Sequence, residues 1–455
     1  MLYSFQDERV RSMDKKPAPL RVLVVSHNVF SASGNMGKTM MRMLAGISPE
    51  NLAQVYFHQE IPTRTCCLRY FRITDSDVLR SVFTRRARFR IFSSCDIDES
   101  ASQSRTDTGN LAKVYQFSRR RTPMIYFLRD TMWRLGKWKT RALKDWARAF
   151  APDVIFFAAG DYAFSYRVAL YLSGLLRVPI TMWCADDYFI APQQSRSLLR
   201  RLHCRRLRKL AQRVTERSKS VITISDTMQR DYAQLFGFPV QTIRISSDAN
   251  PAALPRAQRE GISYVGNLGI DRITPLIELG RALKAAQLPG FETIRVYSGE
   301  RNPATLAQIT EENGLTFCGR LTEQGVERVL GASKFLILVE SFDRSAIRRT
   351  KYSLSTKVAE SLRSGACIIA YGPDEIASIE YLCRHKAACI LNSAAEFPEV
   401  VRRLCTAADE YDAHIQCAQS LAEQFHSAKT NETCIEKILA QASGMTGTPA
   451  AIGDR

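Results

Sequence analysis

The sequence lacks several patterns that would point to a particular class of protein. Its 12 cysteines include no C-x-x-C pair and its six histidines are scattered, so no zinc site is predicted. No apolar run approaches the 18 residues that a membrane-spanning helix needs. The first residues, MLYSFQDERVRSMDKK, are polar and charged, unlike a signal peptide. We therefore expect a cytoplasmic protein with reduced thiols, no zinc site and no membrane span.

Acidic residues are too few to balance the basic ones in the first half of the chain, whereas the second half is nearly neutral. The formal net charge is +19, and residues 1–250 contain 41 Lys and Arg against 21 Asp and Glu, whereas residues 251–455 contain 23 against 24. This asymmetry predicts an anionic partner for the first half: a membrane surface, a nucleic acid or an acidic substrate. Nucleic acid is the least supported of these, because no recognition motif accompanies the basic residues.

One helical segment concentrates this positive charge. The stretch Ser195–Ser220, SRSLLRRLHCRRLRKLAQRVTERSKS, carries a partial apolar stripe and many arginines. It is either a solvated amphipathic helix or a helix that contacts a membrane surface or another polyanion.

Short apolar runs alternate with helical patterns, which predicts the α/β class with two Rossmann-like domains facing each other across a cleft. The predicted strands are Leu20–Ser26, Leu52–His58, Val154–Ala158, Ile180–Cys184, Val221–Ile224, Ile262–Val265, Thr293–Tyr297, Leu315–Cys318, Phe335–Val339, Ala366–Ala370 and Ala388–Leu391. The predicted divisions are a tail (1–19), a first domain (20–245) with a polar insert (about 84–122), a linker (246–260), a second domain (261–425), a C-terminal helix (426–442) and a flexible tail (443–455).

The stretch Ala32–Thr39, ASGNMGKT, satisfies a loose form of the phosphate-loop pattern. A true phosphate loop follows its strand directly, whereas six residues, Ser26–Ser31, separate this pattern from the strand Leu20–Val25. We therefore interpret it as a loop that leads into a helix, in which Gly34, Asn35, Gly37 and Lys38 approach the cleft. A P-loop nucleotide hydrolase or kinase remains the alternative.

A second stretch, SFDRSAIRRTKYSLSTKVAESLRSGACIIAYG, has the features of an anion site. Five basic residues flank a helix whose predicted N-cap is Ser355. Free N–H groups at the helix N-terminus, the hydroxyls of Ser355 and Thr356 and the charge of Lys357 suit a diphosphate. Glu360, three residues further, is placed to accept hydrogen bonds from sugar hydroxyls. A capped surface helix with incidental charges is the simpler alternative.

These stretches together resemble the GT-B glycosyltransferases, in particular the family-4-like group. Glu360 and Gly365 in STKVAESLRSGACIIA keep the spacing of the donor-side motif, with Lys357 in the K-x-x-E variant. ISYVGNLGIDR is similar to the segment that opens the donor domain, with Gly266 at the turn and Arg272 where a basic residue meets the diphosphate. SKSVITISDTMQRDYAQLFGFP is similar to the element that ends the acceptor domain.

The chain departs from this family at two places. Relatives often carry a glutamate eight residues before the motif Glu, but Tyr352 stands there; Glu340 is the candidate substitute. Where relatives often have a His-Asp pair, this chain has Asp186 and Asp187. These two and Asp161 are the candidate catalytic carboxylates, although each is also consistent with a structural role at a strand end.

The resemblance implies transfer of a sugar from a nucleotide-sugar co-substrate to a glycan or lipid-linked acceptor. It implies no cofactor and no metal. Combined with the one-sided charge, it leads us to expect a cytoplasmic enzyme of cell-envelope or polysaccharide synthesis, peripheral at the inner face of the membrane. The alternatives are the P-loop protein and a non-catalytic, glycosyltransferase-like binding module.

Overall fold

A computed structural model describes residues 19–31, 35–63, 66–97, 122–195, 197–247 and 254–445. Gly34 and most of the predicted insert therefore lie outside the described residues. The described residues form two parallel-sheet domains with helices on both faces, as the alternating pattern predicted.

The first domain contains an eight-stranded sheet in the order β4-β3-β2-β1-β5-β6-β7-β8. All neighbouring strands are parallel except β3 and β4, which are antiparallel at one edge. The strands are β1 Val22–Ser26, β2 Leu52–Tyr56, β3 Arg69–Arg72, β4 Arg90–Ser93, β5 Val154–Ala158, β6 Ile180–Cys184, β7 Ser218–Thr223 and β8 Val240–Thr242. The helices are α1 Asn35–Met43, α2 Asp75–Thr84, α3 Pro123–Leu135, α4 Arg141–Phe150, α5 Ala163–Leu176, α6 Leu198–Thr215 and α7 Asp226–Phe236.

The second domain contains a six-stranded parallel sheet in the order β11-β10-β9-β12-β13-β14. Its strands are β9 Glu260–Val265, β10 Ile294–Tyr297, β11 Leu315–Gly319, β12 Ser333–Val339, β13 Cys367–Tyr371 and β14 Cys389–Leu391. Its helices are α8 Ile273–Ala286, α9 Pro303–Leu306, α10 Glu323–Ala332, α11 Arg344–Thr350, α12 Thr356–Arg363, α13 Ala377–Arg384, α14 Phe397–Thr406 and α15 Ala408–Phe425.

The last helix, α16 (Ala428–Ser443), returns to the first domain. Its Ile435, Ile438 and Leu439 are buried in the same core cluster as Val22 and Phe156 of the first sheet. The chain therefore crosses between the domains twice, which ties their relative position to the apolar packing of α16 as well as to the linker region.

The strand orders identify where ligands should bind. The order reverses between β1 and β5 in the first sheet and between β9 and β12 in the second. Ligands of open α/β sheets bind beside the carboxyl ends of strands at such reversals. The segments after these strands begin at residues 27, 159, 266 and 340, so several of the predicted site residues lie at these two edges.

Candidate functional site

An ion pair joins the two strands at the reversal in the second sheet. Glu340, the first residue after β12, is 4% exposed and accepts from Arg272 Nε (3.2 Å) and Nη2 (3.0 Å). Arg272 itself lies in the segment between β9 and α8. Burial raises the pKa of Glu340, and the charge and hydrogen bonds of Arg272 oppose this effect. The sequence placed Arg272 at a donor diphosphate, and the structure shows that it already has a carboxylate partner.

Lys357 reaches the same edge from α12. A Cβ on Gly266 would lie 1.8 Å from Lys357 Nζ, so the absence of a side chain at Gly266 makes room for this ammonium group. The Nζ atom also lies 5.5 Å from the ring centroid of Tyr264. Burial is the main cause that lowers the pKa of Lys357 to about 8, and the nearby Arg272 lowers it further, while Glu340 and Glu360 act in the opposite direction.

The N-terminus of α12 has the predicted cap. Ser355 Oγ accepts from the backbone N–H of Lys357 at 3.3 Å. Ser355, Lys357, Arg272 and Glu340 line a small cavity of about 30 Å³ at this edge. Two cations and the positive end of a helix thus meet at this edge, the combination that binds phosphate groups.

A larger cavity of about 580 Å³ lies between the two domains. Its size falls within the range of small-molecule sites, roughly 300–1,000 Å³. The second domain contributes Thr356 and Glu360 to it, and the first domain contributes Lys38, Thr39 and Arg42 from α1. Burial raises the pKa of Glu360, opposed by Lys357, Arg42 and Lys38. We call this cavity the interdomain cleft.

Helix α1 begins at Asn35, so Gly37 and Lys38, which the sequence predicted in a loop, lie within the helix; α1 borders this cleft through Lys38. A Cβ on Gly37 would lie 2.3 Å from the carbonyl oxygen of Val29, so Gly37 permits close packing of α1 on the preceding segment. The side chain of Asn35 lies outside the described residues, as does Gly34. Lys38 Nζ lies 2.9 Å from Oε1 of Glu323 in the second domain, across the mouth of the cleft. Because the Glu323 side chain is 90% exposed, this ion pair contributes little stability.

Two hydrogen-bond donors beside the interdomain cleft were not predicted from the sequence. Trp183 and Arg244 line it, and within the described residues Trp183 Nε1 and Arg244 Nε are buried without a hydrogen-bond partner. A buried N–H group without an acceptor costs free energy, so these two positions favour a ligand that brings oxygen atoms. The one sequence feature that could have indicated Trp183 is an indole N–H group within the otherwise apolar strand β6.

The three candidate catalytic carboxylates differ in their surroundings. Asp187 accepts from the backbone N–H groups of Phe189, Ile190 and Ala191 at 2.6–3.0 Å and from Tyr232 Oη at 2.8 Å. These four bonds hold the loop after β6, which is a structural task. Asp186 is exposed and follows Ala185, which lines the interdomain cleft. Neither carboxylate is among the residues that line this cleft; Asp186 is the more exposed of the pair and accepts from the backbone N–H of Asp187 at 2.8 Å.

Asp161, the third candidate, joins two helices of the first domain. Its carboxylate accepts from Tyr126 Oη of α3, and its carbonyl oxygen lies 2.8 Å from His203 Nε2 of α6. It is not among the residues that line the interdomain cleft. The structure thus gives Asp161 a positioning task beside the carboxyl edge of the sheet, and its catalytic role stays a prediction.

Polar contacts join α7 of the first domain to the second domain. Tyr352 Oη donates to Asp231 Oδ2 at 2.6 Å, and Lys351 Nζ lies 3.1 Å from the same oxygen. Glu380 accepts from Thr227 and, at 2.8 Å, from Arg230 Nη2. Tyr352 is 4% exposed and packs in the core cluster of the first domain. The residue that replaces the family glutamate therefore serves the domain interface.

A second ion-pair group reinforces the same interface. Asp226, the first residue of α7, pairs with Arg384 of α13 and with Arg244, whose Nη2 lies 2.5 Å from Asp226 Oδ1. The charges of Arg244 and Arg384 keep the pKa of Asp226 below its ordinary value despite burial. Since Arg244 also lines the interdomain cleft, the interface and the cleft share a residue.

Within the residues that the structure describes, no group of three or more His, Cys, Asp or Glu is arranged to hold a metal ion. In the same part of the chain, no helix is both long and apolar enough to cross a bilayer.

Comparison with known proteins agrees with the resemblance drawn from the sequence. The family described as Glycosyltransferase Family 4 matches residues 98–246. Sucrose-phosphate synthase from Thermosynechococcus elongatus superposes with a TM-score of 0.59 at 11% identity, covering 94% of this chain and 100% of the other. HepE of Anabaena in complex with UDP gives 0.58 at 13% identity, covering 93% and 100%. A glycosyltransferase from Rickettsia africae gives 0.56 at 11% identity, covering 93% and 98%.

No curated protein matches the sequence significantly. The structural likeness nevertheless extends over more than nine-tenths of the chain, so the predicted GT-B architecture, two Rossmann-like domains across a cleft, is confirmed. The resemblance to the GT-B glycosyltransferases is likewise confirmed.

Proposed function

We propose that this chain, which has the GT-B fold, transfers a sugar from a nucleotide-sugar donor bound mainly by its second domain to an acceptor bound by its first. The observation that carries the proposal is the meeting of Arg272, Lys357 and the N-terminus of α12 at the strand reversal of the second sheet, next to a cleft of about 580 Å³. UDP is the expected nucleotide, because HepE of Anabaena, which shares the fold, has been crystallised with UDP and with UDP-glucose.

The chemistry requires such a cationic edge. When the bond between sugar and diphosphate breaks, negative charge grows on the departing phosphate oxygen, and fixed positive groups lower the barrier if they are already in place. Lys357 and Arg272 are held by buried contacts before any donor arrives, so little reorganisation is needed. A metal ion is not required for this task, and the proposal includes none.

The remaining predicted residues have tasks that fit their positions. Glu360 faces the interdomain cleft one turn beyond the donor cations, where it can accept hydrogen bonds from the hydroxyls of the transferred sugar. Asp186 orients the acceptor hydroxyl from the opposite domain. The N–H groups of Trp183 and Arg244 donate to oxygen atoms of the ligand that fills the cleft.

The acceptor that we propose is a glycan or lipid-linked sugar of cell-envelope or polysaccharide synthesis, and the transferred sugar is a hexose. The net positive charge of residues 1–250 supports a peripheral location at an anionic membrane surface, where such acceptors are presented.

A panel of nucleotides and nucleotide sugars, measured by thermal shift with and without Mg²⁺, tests the proposal. We expect UDP or a UDP-sugar to stabilise the native protein, Lys357→Met to remove most of the shift at the same ligand concentration, and Lys38→Ala to leave most of it. The P-loop alternative would be supported by a different result: ATP with Mg²⁺ stabilises the native protein, Lys38→Ala removes this stabilisation, and no nucleotide sugar stabilises the protein. Donor binding without transfer to any acceptor extract and without donor hydrolysis would favour the non-catalytic binding module.

A further inference from the structure

Exposed apolar side chains are concentrated on two neighbouring helices of the first domain. Of the 13 large apolar side chains that are exposed within the described residues, seven lie on α3 and α6. Six of them are near one end of the helix pair, and we call these the apolar ridge: Met124, Phe127, Leu128, Leu198, Leu199 and Leu202. Each is about half exposed or more, up to 71% for Leu198. Single exposed apolar residues are ordinary, but such a group marks an interaction surface.

The packing of the two helices brings these residues together. The rings of Tyr126 and His203 stack at 4.7 Å, and Arg206 Nη1 lies 2.8 Å from Asp130 Oδ2. Because these two contacts advance in the same direction along both helices, the first turns of α3 and α6 lie at the same end. The Arg206 guanidinium also lies 5.5 Å from the ring of Phe127, which places that ring at the seam.

Buried ion pairs and hydrogen bonds hold together the helices that carry the apolar ridge. Asp130 is 2% exposed and pairs with Arg134, Arg167 and Arg206, which come from three different helices. Asp161, which follows β5 at the carboxyl edge of the first sheet, accepts from Tyr126 Oη and contacts His203 through its carbonyl oxygen. The apolar ridge is therefore fixed at the side of the domain on which we place the acceptor.

The charges around the apolar ridge identify its occupant. Helix α6 contains seven Lys and Arg and no Asp or Glu. Among the ion pairs of the described residues, only Arg206 of this helix has a carboxylate partner. A second copy of the chain would bring two such helices together and repel, while a nucleic acid would leave the leucines in water. An anionic bilayer accepts both components, since apolar side chains enter the acyl boundary and arginines remain among the headgroups.

We propose that the apolar ridge and the arginines of α6 dock the first domain on an anionic lipid surface, with the carboxyl edge of its sheet close to the headgroups. The inference rests on the proposed function in one respect: docking would bring a lipid-linked acceptor to the interdomain cleft. Vesicle binding itself needs no sugar transfer, so the two proposals fail independently.

Flotation of the full chain with vesicles tests this inference. The native protein should float with an equal mixture of phosphatidylcholine and phosphatidylglycerol at low salt, and not with phosphatidylcholine alone. The double variant Leu199→Ser with Leu202→Ser should lower the partition coefficient at least tenfold, because it removes two apolar side chains from the acyl boundary. Arg200→Glu should lower it by about fivefold or more. The matched control is Phe317→Ser, which changes an exposed apolar residue of the second domain and should have no effect.

The fluorescence of a tryptophan introduced into the apolar ridge gives a second measurement of lipid docking. In Phe127→Trp, the new indole should shift to shorter wavelength on anionic vesicles and be quenched by brominated lipid. Thermal stabilisation by UDP should be the same in all variants, which separates lipid docking from donor binding.

Three results would overturn the inference. One is the absence of flotation by the native protein at low salt, and another is an equal loss in the leucine variant and the Phe317→Ser control. The third is a dimer in sedimentation velocity that the leucine variant dissociates, since the apolar ridge would then be covered by a second copy.

Discussion

We predict that the ionisation of Lys357 makes the proposed donor binding depend on pH above neutrality. Its folded-state pKa of about 8 lies well below the ordinary value of 10.5, mainly because of burial. About nine-tenths of the molecules therefore carry the charge at pH 7 and about one-tenth at pH 9. A diphosphate favours the charged form, so binding raises this pKa and takes up a proton at pH values above 8.

The size of the effect follows from these fractions. If only the charged form binds UDP well, the Kd should increase about tenfold between pH 7 and pH 9, which equals about 1.4 kcal/mol of binding free energy. The sign is fixed: affinity is greatest below the folded-state pKa and decreases as the pH rises through it. Isothermal titration of the native protein over this range, in two buffers with different ionisation enthalpies, measures both the Kd and the proton uptake.

The matched variant is Lys357→Met, which removes the titrating group and keeps a side chain of similar length. Its UDP affinity should be weaker than that of the native protein and should not follow the ionisation of Lys357. The ratio of the two Kd values should therefore fall about tenfold from pH 7 to pH 9. Ionisation of the nucleotide itself affects both proteins equally and cancels in the comparison. A constant ratio of the two Kd values from pH 7 to pH 9 would refute the role given to Lys357.

Three further substitutions test the neighbouring contacts. Gly266→Ala should weaken UDP binding about tenfold with an unchanged circular dichroism spectrum, because the new Cβ takes the position of the Lys357 ammonium; an unchanged Kd would contradict this. Tyr352→Phe should lower the free energy of unfolding by about 1.5 kcal/mol in urea denaturation, since it removes a hydrogen bond to a carboxylate, and should retain UDP binding. Lys38→Ala should change the stability by less than about 0.5 kcal/mol, because its partner Glu323 is almost fully exposed; a loss of several kcal/mol would show that the cleft is held closed at this point.

The parts of the fold that the sequence predicted well are those with a strong local pattern. Val154–Ala158 and Ile180–Cys184 are strands with the predicted bounds, because each is a continuous apolar run that ends in a turn. Three strands were missed: β4 and β8 at the two edges of the first sheet, and β3 beside β4. Arg69–Arg72 and Arg90–Ser93 each begin with an exposed arginine and are only four residues long, so their apolar pattern is too short to recognise. The strand β4 lies in the segment predicted as an insert.

The residues of the candidate site also divide into those that a sequence pattern predicted and those whose contacts only the structure shows. Ser355 and Lys357 were predicted from a helix N-terminus, and Gly266 and Arg272 from the family resemblance; the structure brings all four to one edge of the second sheet, and their role stays a prediction. The hydrogen bonds that hold Asp187 come from its own loop and from a distant helix, and only the structure reveals that this carboxylate is already occupied. The contacts of α7 with the second domain join residues that are more than 100 positions apart, and no periodicity in the sequence encodes such pairs.

The replacement of the family glutamate by Tyr352 has a physical reason in the domain interface. The phenol donates to Asp231, and its ring lies 6.3 Å from that of Tyr232 in the core of the first domain. A glutamate at this position would bring a second carboxylate against Asp231 in a largely buried contact, and the two charges would repel or force one group to take up a proton. The tyrosine therefore suits the closed interface and is unsuited to the donor. The edge of the second sheet nevertheless has a buried carboxylate, because Glu340, directly after β12, pairs with Arg272. Tyr352 thus serves domain packing, while Arg272, at the proposed diphosphate site, keeps a carboxylate partner that follows β12.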